Sequence, residues 1–566
     1  MASHPSDCTG CPKYLKCELQ ALMQYLSVSD SRLRKLPGND YMTEENPLLI
    51  RDLTRCVLCG RCVRACKELY GAGILDFHRA GTKTWIAPKR GAGLLKEGDC
   101  RFCGSCAAVC PTGAVRDKSE LFDGFDSEEK ALVPCRNRCP AGIDVPRYTS
   151  LIRMGEYTGA LAVIREKAPF PLTLGYVCMR FCESACRRKD VNEAIGIRKL
   201  KKFAATMGEK TYAKKQAKPT GKKAAVIGAG PAGLTAAYFL AQKGHSVDVF
   251  ERLPHAGGML RVGIPDSRLP AEIVDGEINS ILEETGVNLF LSREAGTPND
   301  LINSGYDVVI VATGAHKGKR LSIPGNGLAG VVTAVEFLAS PKAHRKAVVI
   351  GGGNVAFDSA RTAKRLGAEQ VTVACLEARE DMSACREEID AGLAEGIEIL
   401  NSRSFVGIRQ DGSLWVDCLC VKSFCFEDGN LHIEPEPDSE HMIETDIVIF
   451  AVGQETDRPE FLVETEGVFS CGDCVSGTAS VIEAIASGRV AASNADRFLG
   501  GDGDISVQFM ERTERSICSH VEGFADIERP TEWNDETILC EAGRCLQCDL
   551  RLEIPKVEFW SEYAVR

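Results

Sequence analysis

No stretch of this chain stays apolar for the roughly 20 residues that a bilayer demands, which argues against a membrane-spanning segment. Basic excess is missing too. Lys and Arg number 68 against 79 Asp and Glu, a net charge of -11, and this speaks against nucleic acid as a main partner. The opening MASHPSDC lacks a charged region followed by an apolar one, so no secretory signal is expected. A catalytic acid–base pair or an activated nucleophile is not evident either. Abundant instead is cysteine, 27 in 566 residues. A disulfide scaffold would be small and exported. A long chain with C-x-x-C clusters and no export signal is expected to be cytoplasmic and metal-loaded. Apolar content of 44% and charged content of 26% are those of a soluble globular protein, and the length suits about four domains.

The stretch Ala225 to Glu251 organises the rest. Small and apolar residues, Ala224 to Ile227, suit a buried parallel strand, and Gly228, Gly230 and Gly233 follow in G-x-G-x-x-G spacing around Pro231 and Ala232. The first glycine permits a tight turn, the second lets backbone approach a pyrophosphate, and the third lets the helix pack on the strand. An amphipathic segment runs to about Gly244, and a strand, Val247 to Phe250, ends on Glu251, which can accept from ribose hydroxyls. A glycine-rich turn in a plain α/β domain is the alternative. The order strand, loop, helix, strand, acid favours a dinucleotide site. A second unit begins at Ala347, with Gly351, Gly352 and Gly353 at the turn, Asn354, Val355 and Asp358 opening a helix, and the strand Gln370 to Ala374 leading to Glu377 and Arg379. Two such units imply flavin in one and nicotinamide in the other, the second inserted into the first over about Lys342 to Met442. Around the insertion, Asp307 to Gly314 is a buried strand ending in Thr313-Gly314, and Asp446 to Gly453 is read as a strand returning to the first domain. A carboxylate at Glu377 suits the two hydroxyls of an NAD ribose and repels a 2′-phosphate, although Arg379 can meet one.

The cysteines fall into sets. His4, Cys8, Cys11 and Cys17 form H-x3-C-x2-C-x5-C, a tetrahedral donor set for zinc or for an iron–sulfur cluster. Cys56, Cys59, Cys62 and Cys66, then Cys100, Cys103, Cys106 and Cys110 before Pro111, repeat the C-x2-C-x2-C-x3-C pattern of two-cluster ferredoxins. The fourth cysteine of each run there ligates the other cluster. The expected sets are therefore Cys56, Cys59, Cys62 with Cys110, and Cys66 with Cys100, Cys103 and Cys106. Further on stand Cys135, Cys139, Cys178, Cys182 and Cys186, with a helical pattern from Tyr148 to Lys167 between them. The tail holds Cys518, Cys540, Cys545 and Cys548. Cys375, Cys385, Cys418, Cys420 and Cys425 are read as buried small apolar residues.

Two family resemblances overlie this. The wording HPSDCTGCPKYLKCELQ, with GILDF at Gly73 to Phe77, resembles the large iron–sulfur subunit of NADH dehydrogenase (respiratory complex I) and iron-only hydrogenases. A [2Fe–2S] domain precedes this segment in those families, and that cluster is expected to be absent here. From about residue 130 the chain resembles the glutamate synthase small subunit and its relatives, dihydropyrimidine dehydrogenase and the flavin subunit of electron-bifurcating transhydrogenase. Cys135-x3-Cys139-Pro140, Cys178-x3-Cys182-x3-Cys186 and the run Gly257 to Pro270 carry that resemblance. It implies FAD in the first nucleotide unit, with Gly258 and Arg261 beside it and Gly472-Asp473 contacting it near the pyrophosphate and ribityl chain. Cys471-x2-Cys474 lies in that motif, so its dithiol spacing is read as structural. The family takes a C-x2-C pair, worded A-x-R-C-L-x-C, from upstream of Cys135. Here that wording stands at Ala542 to Cys548. The resemblance thus implies that the tail returns to complete one [4Fe–4S] cluster from Cys545, Cys548, Cys135 and Cys186. Cys139, Cys178 and Cys182 remain for another. The family completes that one with Gln or Glu near Lys201, which as lysine cannot ligate, so either Cys540 serves or the cluster is absent. A partner- or zinc-binding appendage is the other reading of the tail.

The expected fold is α/β, two nested Rossmann-like dinucleotide-binding domains preceded by a two-[4Fe–4S] ferredoxin-like domain and a helical iron–sulfur domain. Its boundaries are 1–45 for the His/Cys segment, 46–125 ferredoxin-like, 126–208 helical iron–sulfur, 209–341 with 443–500 for FAD, 342–442 for NAD(P), and 501–566 for the tail. The expected function is an NAD(P)H oxidoreductase subunit passing electrons between nicotinamide, FAD and [4Fe–4S] clusters: three from the first twelve ligands, a fourth completed by the tail, and a fifth that depends on its last ligand. The combined resemblance implies the NADP(H) module of an electron-bifurcating transhydrogenase. Its partners would be a complex I-like NADH-oxidising core and ferredoxin. A glutamate synthase small subunit is the runner-up, and a scaffold with degenerate sites is the reading from another class. For nucleotide choice the residues favour NAD(H) and the resemblance NADP(H).

Overall fold

Uninterrupted runs of Ala, Val and Ile form strands buried on both faces, the signature of parallel sheets covered by helices. Two such sheets stand in the computed structural model, which describes the chain except residues 1–3, 6, 29–42, 70, 82, 91–92, 210, 212–216, 428–429, 463–464, 511–519 and 556–566. Cys518 lies outside the described residues. The chain divides into two compact units, Met1–Ile164 with Arg180–Tyr212 and Met510–Arg566, and Arg165–Met179 with Ala213–Phe509.

In the second unit, the first sheet has the order Val468–Ser470, Val308–Val311, Lys223–Ile227, Ser246–Phe250, Asn288–Phe290, all parallel. The helix Pro231–Gln242 crosses it and packs against Val481–Phe498. The second sheet, also parallel, has the order Val331–Thr333, Ile447–Phe450, Lys346–Ile350, Gln370–Ala374, Glu398–Leu400. Its strands all fall, in sequence, between the last two strands of the first sheet. A small antiparallel ladder, Lys317–Gly318 with Gln454–Glu455, joins the outgoing and returning chain.

This corrects the reading of 447–450 as part of the flavin sheet. Ile447 to Phe450 pair in register with Ala347 to Ile350, so the inserted unit runs wider than 342–442. The insert also carries an unexpected antiparallel sheet, Arg403–Asp411, Ser413–Glu427, Asn430–Pro435 and His441–Thr445. Its outer end is solvent-facing, and Cys425 there is exposed while Cys385 and Cys420 are half-buried, so only Cys375 and Cys418 fit the expected buried class. The segment Arg165–Met179 is anchored within this unit. Arg165, fully buried, pairs with Glu284 at 2.9 Å, and Glu277 accepts the N–H groups of Leu172 and Thr173 at 2.6 and 2.9 Å.

In the first unit the cysteine runs sit on short helical turns, Arg61–Arg64 and Ser105–Ala108, beside a three-stranded antiparallel sheet and the hairpin Leu75–Ala80 with Lys83–Pro88. The expected helix over Tyr148 to Lys167 is two helices, Val145–Arg153 and Tyr157–Arg165, broken at Gly155, whose φ is 79°. The tail contributes the helix Asp535–Gly543 and places Phe524 and Leu546 in the same core as Leu49, Leu75, Ile86 and Phe102. Residues from both ends of the chain therefore close one hydrophobic core.

Candidate functional site

Gly228, Gly230, Pro231, Ala232, Glu251, Gly258, Thr313, Gly314, Gly472 and Asp473 line one cleft at the carboxyl ends of the first sheet. That is where open α/β sheets bind ligands. The floor admits no side chain. Gly258 has φ 54°, and a Cβ on it would lie 3.0 Å from the Cα of Gly230. Gly233 sits beneath, where a Cβ would stand 2.1 Å from the Gly228 carbonyl oxygen, so its role is the close packing of helix on strand. Glu251 is buried and its two carboxylate oxygens accept the N–H groups of Ala229 and Leu253, each at 2.9 Å. Each oxygen keeps a lone pair for a sugar hydroxyl.

The donor set fits FAD. Asp473 Oδ1 is buried without a hydrogen-bond partner among the described residues. Burial pushes the Asp473 carboxyl up to about 6, against the opposing pull of the Ala479 N–H. A hydroxyl-bearing guest in the cleft would satisfy that orphaned acceptor. Arg252, Arg293 and Arg458 also line the cleft, Arg252 paired with Asp457 at 2.7 Å and Arg458 with Glu294, and His316 lines it too, with its imidazole held below its usual pKa by burial and by Arg252. Sequence reasoning missed these four. Their signal was only position, shortly after the ends of strands that carry the cleft. Arg261, expected beside the flavin, is turned away: it pairs with Asp275 and meets the carbonyl of Ala271 at 3.5 Å. The four-residue helix Met259–Val262 aims its side chain at the helix Ala271–Thr285. Cys471 lines the cleft, and burial pushes its thiol well up. The Cys474 thiol donates to the Cys471 carbonyl at 3.2 Å, so the pair is held as buried thiols.

At the second glycine turn, Gly353 caps the helix Asn354–Arg365. Glu377 Oε2 stands 2.8 Å from where a Cβ on Gly352 would sit, which sets the carboxylate over the turn with Gly351 beneath. Arg379 is half-buried two residues on. Asn354 spends its side chain locally, accepting the Cys385 N–H at 2.8 Å and meeting Met179 Sδ at 3.3 Å, while Val355 packs into the sheet's core. Below them Asp358 pairs with Arg268 at 2.5 Å, and burial raises its carboxyl to about 6.

The first unit gathers cysteines. Cys56, Cys59, Cys62 and Cys110 line one pocket, and Cys106, expected in the second set, lines it too. Burial, reinforced by the thiolate of Cys110, pushes the Cys62 thiol up to about 12. Cys66, Cys100, Cys103 and Cys106 are a second group of mutually interacting sulfurs, and burial is the chief cause that raises the thiols of Cys100, Cys103 and Cys106. Backbone N–H groups point at sulfur throughout: Leu58 to Cys56, Ile74 to Cys66, Phe102 to Cys100 and Val115 to Cys110, at 3.3–3.4 Å. Such bonds favour the thiolate that an iron site needs. No three His, Cys, Asp or Glu side chains among the described residues converge on a single-ion position. A cubane cluster is a larger guest, ligated at its corners.

At the N-terminus Cys8 opens a 3-10 turn, and His4 Nε2 is buried without a hydrogen-bond partner among the described residues, while Nδ1 faces the Pro5 carbonyl at 2.8 Å. Asp7 ties the segment to the ferredoxin-like part through Arg55, at 2.8 Å. Cys11 Sγ lies 3.2 Å from a Cβ built on Gly113, and Cys17 caps the helix Glu18–Tyr25.

Cys135, Cys186, Cys545 and Cys548 lie in the first unit and interact with one another. Cys139 and Cys182 lie in the same unit, near the buried Tyr148, whereas Cys178 belongs to the second. Lys201 is buried on the helix Ile197–Met207. Cys540 is exposed, on the side of its helix away from buried Ile538, Glu541 and Ala542.

Comparison with known proteins agrees with this layout. A family described as pyridine nucleotide-disulphide oxidoreductase matches residues 222–488, and dihydropyrimidine dehydrogenase domain II, 4Fe-4S cluster, matches 130–213. A 4Fe-4S dicluster domain matches 55–114, and the NADH-ubiquinone oxidoreductase-G iron-sulfur binding region matches 1–32. The NADP(+)-dependent formate dehydrogenase subunit beta of Moorella thermoacetica is 36% identical over 66% of this chain and 61% of its own length. The NADPH-Fe(3+) oxidoreductase subunit beta of Geobacter sulfurreducens is 34% identical over 60% of this chain and 53% of its own. The NAD-dependent dihydropyrimidine dehydrogenase subunit PreT of Salmonella typhimurium is 30% identical over 69% of this chain and 95% of its own. The chain thus spans somewhat more than half of the first two relatives and nearly all of the third.

Proposed function

The chain belongs to the pyridine nucleotide-disulphide oxidoreductase family in its PreT-type form with 4Fe-4S domains, and on that premise we propose that it passes electrons between a nicotinamide nucleotide, FAD and a series of [4Fe–4S] clusters. The observation that carries this reading is the cleft. Ten residues singled out by motif converge on it, and its one orphaned buried carboxylate oxygen, on Asp473, asks for a hydroxyl-rich guest. When bound, FAD supplies the exchange of an electron pair with nicotinamide and of single electrons with iron–sulfur centres.

The chain's own residues bind and orient. Glu251 would take the ribose of the dinucleotide, the Gly230 and Gly258 floor would let its pyrophosphate approach the backbone, and Arg293 would add positive charge, Arg252 and Arg458 being paired with Asp457 and Glu294. Glu377 and the Gly351 to Gly353 turn receive the nicotinamide nucleotide. No side chain has to donate or remove a proton for hydride exchange. In the first unit, His4 with Cys8, Cys11 and Cys17, the Cys56 set and the Cys66 set supply twelve ligands for three clusters.

The wider assignment is a subunit of an electron-transfer complex. The match of residues 1–32 to the NADH-ubiquinone oxidoreductase-G region supports a complex I-like NADH-oxidising partner, as in an electron-bifurcating transhydrogenase with ferredoxin as a further partner. A second reading, favoured by the 36% relative, pairs the chain with a formate-oxidising subunit. Anaerobic purification with flavin and iron analysis, followed by titration with NADH and NADPH, tests the core proposal. FAD should be present, with at least about twelve irons for three clusters, and the flavin absorbance should bleach with one of the two nucleotides. FMN in place of FAD, fewer irons, or a flavin that neither nucleotide reduces would overturn it. Co-purifying chains then decide between the partners.

A further inference from the structure

Three C-x-x-C loops of the first unit share one backbone shape. They open at Cys56, Cys100 and Cys545. In each, the residue two positions on is not glycine, yet its φ is positive: 57° at Leu58, 51° at Phe102 and 50° at Gln547. That conformation is strained for an L-residue and persists only where the surroundings impose it. In each, that same residue turns its backbone N–H onto the sulfur of the opening cysteine, at 3.4, 3.4 and 3.5 Å. The first two loops lie inside the dicluster match at 55–114. The third lies beyond 488, past every matched region.

The surroundings of the third loop are built for an anion. Arg187, Arg188, Arg544 and Arg551 are all buried around it. Arg551 pairs with Asp117 at 2.8 Å and Arg544 with Glu541 at 2.7 Å. Arg187 and Arg188 find carbonyl and amide oxygens instead: Arg187 the carbonyl of Ala131, Arg188 those of Phe524, Ala525, Ile527 and Arg544 and the Asn192 side chain. Neither guanidinium bonds a carboxylate among the described residues, Arg188 meeting Glu541 only through its field, and both call for negative charge nearby. Cys135 and Cys186 stand across from the loop, near enough to Cys545 and Cys548 to interact electrostatically. The Cys186 sulfur accepts two backbone N–H groups of its own, from Arg188 and Ile195.

We propose that Cys135, Cys186, Cys545 and Cys548 hold one [4Fe–4S] cluster, two of whose ligands come from the C-terminal tail. Each thiol gives up its proton as it binds iron, and no external oxidant or reductant is required for the ligation itself. The existence of this site does not depend on the electron-transfer reading, only its use does.

The test uses the full chain, prepared and loaded anaerobically, with iron, zinc and flavin measured per chain. Replacing both tail cysteines, Cys545→Ser with Cys548→Ser, should remove about four irons, the content of one cluster, and leave FAD in place. Cys135→Ser alone should cause the same loss, and Cys540→Ser none. Unchanged iron in either of the first two variants overturns the proposal, and so does a loss of zinc in place of iron. Should the variants fail to fold, the unaltered protein answers by alkylation mapping. Cys135, Cys186, Cys545 and Cys548 should resist iodoacetamide until a chelator strips the iron, while Cys540 labels at once. Immediate labelling of Cys545 and Cys548 in the iron-loaded protein overturns it equally. Failure here with a flavin that NADH or NADPH still bleaches would leave the proposed function standing.

Discussion

Arg544→Ala puts the hold of the tail on the first unit to a quantitative test. Arg544 and Glu541 are both completely shielded from solvent, and the guanidinium reaches both carboxylate oxygens, at 3.0 and 2.7 Å. It also donates to the carbonyls of Ile527 and Glu193 and to Asn192 Oδ1, at 2.9, 2.9 and 3.1 Å. Truncation leaves the Glu541 carboxylate with the Gly196 N–H, at 2.6 Å, and the field of Arg188. Breaking a buried pair from one side costs about 3–5 kcal/mol, because the surviving charge is stranded. A whole domain is stable by only about 5–15 kcal/mol. The loss is thus large enough to open the segment 520–555 locally. Amide exchange on the anaerobic protein is the assay, with iron and flavin measured in parallel. Exchange should speed up across the helix Asp535–Gly543 and about four irons should leave, while FAD stays in the other unit. Glu541→Gln, which keeps the volume and removes the stranded charge, should be milder. A variant with wild-type protection in the tail and full iron would refute the reasoning.

Other outcomes can be measured as directly. Glu377→Arg should shift the nicotinamide preference toward NADPH by about tenfold or more, equivalent to about 1.4 kcal/mol, read as the ratio of flavin reduction rates; an unmoved ratio would show that the carboxylate over Gly352 does not discriminate. Asp473 titrates near 6 in the fold against 3.8 as a free side chain, so the folded form keeps its proton longer than the unfolded one. Stability of flavin-free protein should then fall as pH rises from about 4 to about 6 and level off above, by up to about 2–3 kcal/mol; Asp473→Asn should abolish that slope in denaturant titrations and weaken FAD retention. His4→Ala should cost about four irons without disturbing the void lined by Cys56 and Cys110, and an unchanged iron count would remove His4 from the ligand set.

Much of this was legible in the residues because the chemistry is local. The turn Gly228 to Gly233, the acid Glu251 and the ferredoxin runs are short patterns whose geometry the backbone enforces; the turn and the acid line one cleft in the second unit, and Cys56, Cys59, Cys62 and Cys110 line a pocket in the first. Less legible was everything set by tertiary placement. Arg261 has the right neighbours in sequence but is drawn off by Asp275, an ion pair invisible without the helix that carries it. Ile447 to Phe450 reads as a buried strand, and nothing in an apolar run says which of two sheets it joins. Cys425 belongs to a long strand whose outer end is exposed, and Cys540 lies on the exposed face of its helix. The four arginines around Cys545 carry no motif at all, since their charge acquires meaning only from where the chain folds back.

That fold-back sets a timetable for biosynthesis. The core around Leu49, Ile86 and Phe102 is assembled early on the ribosome, yet Phe524 and Leu546, which help to close it, emerge only after the whole of the second unit. At about 5–20 residues per second the nascent first unit waits some 20–80 s for them. During that interval its cysteines face the cell unshielded, open to oxidation or to the wrong metal. A ribosome that stops anywhere before the last fifty or so residues releases a chain whose nucleotide sheets are complete and whose first unit cannot close. The order of synthesis therefore makes the arrival of Phe524 and Leu546 the step that completes the first unit's core.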